Sequence, residues 1–253
     1  MINTTSRTSI LMVVLFFLAL GTGACADWGN SNPLPDFSIY TDVKKKKAAF
    51  FTYLFPLVED QNKLITIERV KLLDLAGTTI EPLNNTDQNF IEELAVYYKV
   101  DIDQPNKTVI NKLLLRVDEV PASLAMAQAA MESAWGTSRF AVQANNLFGQ
   151  WCYQEGCGLV PLRRNPGSKH EVAEFDSVSD AIRSYLRNIN THRAYSDLRE
   201  HRSSLLNQGH RVSGHLLAEN LIEYSELREA YVHEIQALIR INKLDQYDAG
   251  LME

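Results

Sequence analysis

Apolar residues return every three or four positions along most of this chain, the period of helices that bury one face. From about Thr41 to Leu75, a basic run, Lys44–Lys47, leads into Ala48, Phe50, Phe51, Leu54, Phe55, Leu57 and Val58, which predicts a long amphipathic helix. Asn84, Asn85, Thr86 and Asp87 have turn and cap chemistry ahead of a second helix over Asn89–Tyr98, with Ile91, Leu94, Ala95 and Tyr98 on one face. Asp101–Asn106 breaks the pattern and Lys107–Val117 resumes it. Pro121 suits a first helical turn and opens a helix predicted to reach Trp135. Asn145–His170, rich in Gly, Asn, Pro and Arg, reads as loop with short strands. Ser177–Asn190 is helical in pattern, and Leu216–Ile241 is expected to be helical or nearly so. Helices around a small loop-and-strand lobe make a mostly helical α+β fold.

The first forty residues follow another pattern. Arg7 precedes the apolar run Ile10–Leu20, and small residues follow in Gly21–Ala26. A basic start, a short apolar stretch and a small-residue exit predict a secretory signal over 1–26, hence export to the periplasm or cell envelope. The run is shorter than the ~20 residues of a membrane span. Two exits fit. Ala24-Cys25-Ala26 is an A-x-A cleavage site before Asp27, whereas Thr22-Gly23-Ala24-Cys25 resembles a lipobox, with Thr where Leu is usual. The second exit would lipidate Cys25 and tether the chain to a membrane. Residues 27–40, opening on DWGNSNPLP, read as a linker, 41–116 as an N-terminal helical extension, and 117–245 as the main domain.

Composition narrows the partners. A net charge of −6 and a pI near 5.6 argue against nucleic acid, which needs clustered Lys and Arg. Of three cysteines, Cys25 is removed or lipidated, which leaves Cys152 and Cys157 five positions apart in an exported chain. A disulfide closing a small loop is the favoured reading, adding roughly 2 kcal/mol or less by the chain-entropy model. No second Cys pair or His-x-x-x-His follows at metal-ligand spacing, so no metal is expected.

The helix ASLAMAQAAMESAW carries one ionisable group, Glu132, one turn after Gln128 and one turn before Trp135 and Gly136. Apolar surroundings and the negative end of the helix dipole would raise its pKa, as protonation of a glycosidic leaving oxygen requires. A solvent-exposed Glu at a helix end fits the spacing equally well. No Gly-x-Ser-x-Gly elbow, His-Glu-x-x-His pair or phosphate-binding loop is present. The basic cluster Arg163, Arg164, Lys169 and His170, near Trp151 and Tyr153, is either a glycan groove or a solvated loop.

Leu124–Gly136 (LAMAQAAMESAWG), followed by Ser138-Arg139-Phe140 and Asn145-Asn146-Leu147-Phe148-Gly149, strongly resembles the glucosaminidase family of peptidoglycan hydrolases. WCYQEGCG, HEVAEFDS and LRNINTHRAYSDLR point to its Bax-type branch, and the resemblance spans about Lys44 to Arg202. It implies a lysozyme-like fold and hydrolysis of a β-1,4 bond in peptidoglycan on the reducing side of N-acetylglucosamine, without a cofactor. It places Glu132 at the catalytic acid and Tyr195 at a site-shaping tyrosine. Asn146, Phe148 and Gly149 match the turn after the catalytic helix, as packing residues or substrate contacts, while Trp151 and Arg163 are further candidate substrate contacts. Many members carry a second Glu in a β-hairpin, but the matching Leu159–Arg164 has no carboxylate. Among Glu155, Glu171 and Glu174, strand alternation favours Glu171 as base, and assistance by the substrate's own N-acetyl group needs none. A wall-binding protein of the same fold with weak turnover is the rival reading.

Overall fold

The computed structural model describes residues 33–77, 83–162, 164 and 167–248. The expected signal segment with Cys25, the start of the linker and Arg163 lie outside the described residues. The architecture is mostly helical α+β. Among the described residues no helix is long and apolar enough to cross a membrane.

The molecule is built around α4 (Ala122–Glu132), whose residues Ala122–Ala130 are all buried. A helix apolar on every side must be covered on every side, and its many alanines let neighbours approach closely. The cover comes from α1 (Val43–Gly77), α8 (Gly214–Leu217), α9 (Glu229–Asn242) and the 3-10 turn Leu244–Asp248. At α8 the fit leaves no room for a side chain: a Cβ on Gly214 would lie 2.2 Å from Ser123 Oγ. Buried Asp248 accepts from Ser123 N at 2.9 Å, Ser123 Oγ at 2.5 Å and Gly214 N at 3.0 Å, tying the 3-10 turn Leu244–Asp248 to the start of α4.

α1 has 35 residues, about 52 Å at 1.5 Å per residue. Its stripe of Phe50, Phe51, Leu54, Val58, Ile65, Leu72 and Leu75 is buried against α3 (Asn106–Arg116), α4 and α6 (Val178–Thr191), while α2 (Asn85–Tyr97) packs on α3. One apolar core runs from Phe37 to Leu244, so the N-terminal extension and the main domain fold as one body. The expected linker contributes to it: Phe37, in the 3-10 turn Phe37–Ile39, is 1% exposed.

A buried guanidinium joins four elements. Arg202, on α7 (Ser196–Asn207), donates to the carbonyls of Leu115, Asp118 and Glu119 and to Asn190 Oδ1. Asp118 Oδ2 lies 3.5 Å from Arg202 Nε and 3.4 Å from Arg69 Nη1, so α1, α3, α6 and α7 meet at the loop that feeds α4.

α5 (Arg139–Ala144) leads into the lobe, a three-stranded antiparallel sheet ordered β1 (Trp151–Cys152), β3 (Glu171–Ala173), β2 (Gly158–Leu159). Cys152 pairs with Glu171 and Gly158 with Ala173, and the Cys152–Cys157 disulfide closes the loop between β1 and β2. Two boundaries differ from the periodicity. α4 stops at Glu132, three residues short of Trp135, and Leu216–Ile241 is interrupted by a 3-10 turn, Ala218–Asn220, and an irregular stretch, 221–228. In both places tertiary contacts override a pattern compatible with helix.

Arg202→Ala removes one partner of a buried ion pair, leaving Asp118 with Arg69 alone, and takes a donor from the Leu115, Asp118 and Glu119 carbonyls. The expected loss is about 3–5 kcal/mol in unfolding free energy, read from urea denaturation; a loss within experimental error would contradict this role.

Candidate active site

Glu132 is the last residue of α4. The chain leaves the helix by a turn in which Ala134, Trp135 and Gly136 are consecutively left-handed, with φ of 50°, 61° and 73°. Residues with a Cβ resist this region by roughly 1–2 kcal/mol each, so the turn must be held in place. Ser133 Oγ donates to Ala129 O at 2.6 Å and accepts from Gly136 N at 2.8 Å, and Trp135 N reaches back to Ala130 O at 2.9 Å. The carboxylate is thereby left at the carbonyl end of the helix, where the dipole disfavours negative charge.

A line of polar groups runs to this carboxylate through the core. Tyr185 Oη donates to Gln128 Oε1 at 2.5 Å, and Gln128 Nε2 donates to Tyr231 Oη at 2.9 Å. Tyr231 is hydrogen-bonded to Glu132. With the Gln128 amide already donating to its oxygen, Tyr231 turns its single proton toward Glu132. Gln128 sits one helical turn before Glu132, so one face of α4 supplies both ends of the relay. Burial holds the Tyr231 hydroxyl far above its ordinary range and Tyr185 likewise well above it, so both remain neutral donors. Glu132 is raised above its ordinary 4.5 by loss of water, an effect that the Tyr231 hydrogen bond opposes.

Three more tyrosine contacts frame the site. Tyr224 stacks on Tyr231 at 5.3 Å and donates to the Phe148 carbonyl at 3.1 Å. Tyr195, 6% exposed, lies 6.0 Å ring to ring from Tyr224. Burial pushes its hydroxyl up to about 12, against a hydrogen bond with Asn188 that lowers it. Glu223, exposed and paired with Arg228 at 3.1 Å, precedes Tyr224 in the chain.

The expected turn residues divide by role. Asn146 is buried: its amide donates to Gln150 O and Ala173 O at 2.9 and 2.8 Å, and its Oδ1 accepts from Phe148 N and Gln150 N at 3.3 and 3.0 Å. It ties the turn to β3. Phe148 is buried in a stack on Tyr185 at 4.1 Å. Gly149 is the residue of the turn that bears on the acid. Its φ is +64°, and a Cβ there would stand 3.5 Å from Glu132 Oε2, so its glycine keeps that face of the carboxylate open. Trp151 is 56% exposed on the lobe and stacks on His170 at 4.3 Å, with Tyr153 exposed nearby in sequence.

Glu171, the candidate base, lies in β3 of the lobe. It is 5% exposed, and its two oxygens accept from Gly156 N at 3.2 Å, inside the disulfide loop, and from Gly158 N at 2.9 Å, at the start of β2. Cys152, Cys157 and Glu171 bring potential ligand atoms within 4.8 Å of one another, but the sulfurs are bonded together and the carboxylate is occupied by amides. Sequence reasoning passed over Tyr224 and Tyr231. Their spacing of seven residues fitted an unbroken helix, and nothing local signalled that either turns toward Glu132.

The raised pKa of Glu132 sets a pH dependence of stability. A carboxyl whose folded value exceeds its unfolded value contributes stability below the unfolded value, and that contribution is lost as pH rises through the folded value. Glu132→Gln is therefore expected to melt above wild type at pH 7, with the gap closing as pH falls through the raised folded value toward 4.5. Thermal melts between pH 4 and pH 8 (chosen to bracket that value) check it; a gap independent of pH would contradict the buried-acid assignment.

Residues 110–244, which take in α4, the turn after it, the lobe and most of the tyrosine frame, match the glucosaminidase family, described as mannosyl-glycoprotein endo-beta-N-acetylglucosaminidase. Protein bax of Escherichia coli (strain K12) is 32% identical over 214 residues, covering 84% of this chain and 76% of that protein. No solved structure matches at a significant level. With a desolvated acid at the end of its central helix, and a match to this family over that helix and its surroundings, the chain belongs to the glucosaminidase family, in its Bax-type branch.

Proposed function

We propose that this chain is an exported peptidoglycan hydrolase that cleaves the β-1,4 glycosidic bond on the reducing side of N-acetylglucosamine, with Glu132 as general acid. The observation that carries the reading is the environment of Glu132: a desolvated carboxyl met by the Tyr231 hydroxyl, with one face kept open by Gly149. Near neutral pH a raised carboxyl retains a proton to give to the leaving oxygen. Tyr195 shapes the wall beside it, and the exposed Trp151 face offers a surface on which a sugar ring can stack. Export rests on the signal-like segment 1–26, and lipidation of Cys25 would add a membrane anchor.

The nucleophile in this reading is the substrate's own acetamido group, because Glu171 is buried and tied down by two backbone amides. The acetamido oxygen attacks the anomeric carbon as the bond to the leaving sugar breaks and Glu132 protonates the departing oxygen. Water then attacks the anomeric carbon, its proton passes to the Glu132 carboxylate, and the acetamido group is released. The engagement of Glu171 also favours a second reading, a wall-binding protein with weak turnover.

The purified protein and Glu132→Gln are incubated with purified peptidoglycan, and the soluble fragments are reduced with borohydride and weighed by mass spectrometry. Wild type is expected to release fragments ending in reduced N-acetylglucosamine, at about 100- to 10,000-fold the rate of the variant. Fragments ending in muramic acid would overturn the bond assignment. Binding without release by either protein would establish the wall-binding reading.

A further inference from the structure

The N-terminal aromatic and basic residues take no part in the reaction as drawn, yet they converge on the turn that follows Glu132. Phe37 packs against Gly136 so closely that a Cβ there would lie 2.6 Å from Phe37 Cδ2. Phe37 meets Phe50 edge to face at 5.4 Å, and Phe50 and Phe51 meet the Trp135 ring at 5.8 and 5.4 Å. Lys47 Nζ stands 4.6 Å over the centre of Trp135, and Lys46 Nζ lies 3.4 Å from Thr137 Oγ1. The basic run thus splits: Lys44 and Lys45 face solvent, while Lys46 and Lys47 are half-buried on the turn.

We propose that Phe37, Lys47 and Phe51 are positioning residues for Glu132, which makes the segment from Phe37 to Phe51 a working part of the active site. A run of left-handed residues persists only where its surroundings over-determine it. Ser133 fastens the turn from within, and the aromatic rings and Lys47 fasten it from outside. Released from that grip, Ala134 and Trp135 relax to ordinary backbone, the last turn of α4 frays, and the Glu132 carboxyl moves away from Tyr231 into water. Lys47 stands over the Trp135 ring and Phe37 against Gly136, so the N-terminal residues act on Glu132 through the turn that follows it. This inference rests on Glu132 being the acid of the proposed reaction.

The test uses the full chain with Phe37→Ala, Phe37→Leu and Lys47→Ala, assayed on soluble glycan oligomers. Misplacing a catalytic group by about an ångström lowers rate by as much as 100-fold. Phe37→Ala and Lys47→Ala are expected to lower kcat about 10- to 100-fold with KM nearly unchanged, and Phe37→Leu to recover most of the loss. The Glu132 carboxyl, titrated by carbon-13 NMR, is expected to shift down toward ordinary glutamate values in both alanine variants. A lower melting temperature with wild-type kcat and an unmoved titration would overturn the proposal, as would a rise in KM alone. If Phe37→Ala fails to fold, the half-buried Lys47→Ala decides. If wild type itself cleaves nothing, the hydrolase reading fails, while the titration still tests the positioning.

Discussion

A carboxyl at the end of a helix enclosed on all sides is the constraint on which the rest of this structure depends. Burying such a group is costly unless donors meet it, and here one tyrosine hydroxyl does so. That donor is aimed by Gln128, whose amide fills the other side of the Tyr231 oxygen, and Gln128 is itself fixed by Tyr185. The arrangement leaves Glu132 under-solvated while fixing where it points. α6 supplies Tyr185, α9 supplies Tyr231, and the irregular stretch before α9 supplies Tyr224, so several helices have to dock on α4 before the acid is set.

The same constraint explains why the N-terminal segment cannot be treated as an appendage. Phe37, Phe50 and Phe51 share one core with α4, and Arg69 on α1 meets Asp118 just before α4 begins. Both ends of α4 are therefore held by residues far upstream. The lobe is stabilised separately. Its disulfide closes a loop that Glu171 fastens to β2 through the amides of Gly156 and Gly158, and Asn146 ties the lobe to the turn that passes beneath the acid.

Much of this was legible in the chain. Helices with a clear apolar stripe, such as α1 and α6, follow from their spacing, and the helix that became α4 stood out as apolar but for Glu132. Spacing alone did not choose between a buried and an exposed Glu132; the family resemblance did. What local pattern could not show was imposed by distant residues. Ala134 and Trp135 are compatible with helix, and it takes Phe37, Phe51 and the Ser133 hydroxyl to bend them away. The break at 221–228 brings Tyr224 to the Phe148 carbonyl, a contact across 76 positions. Strand alternation put Glu171 on one face of β3 without revealing that the amides of Gly156 and Gly158 already occupied that face.

The most direct measurement is the pH dependence of kcat beside the NMR titration of the Glu132 carboxyl, in wild type and in Tyr231→Phe. If Glu132 is the proton donor, the alkaline limb of the rate profile coincides with its titration. Both then move upward in the variant, which lacks the hydrogen bond that lowers the pKa of Glu132. An alkaline limb that stays in place while the Glu132 titration moves would contradict the account and assign the acid to another group.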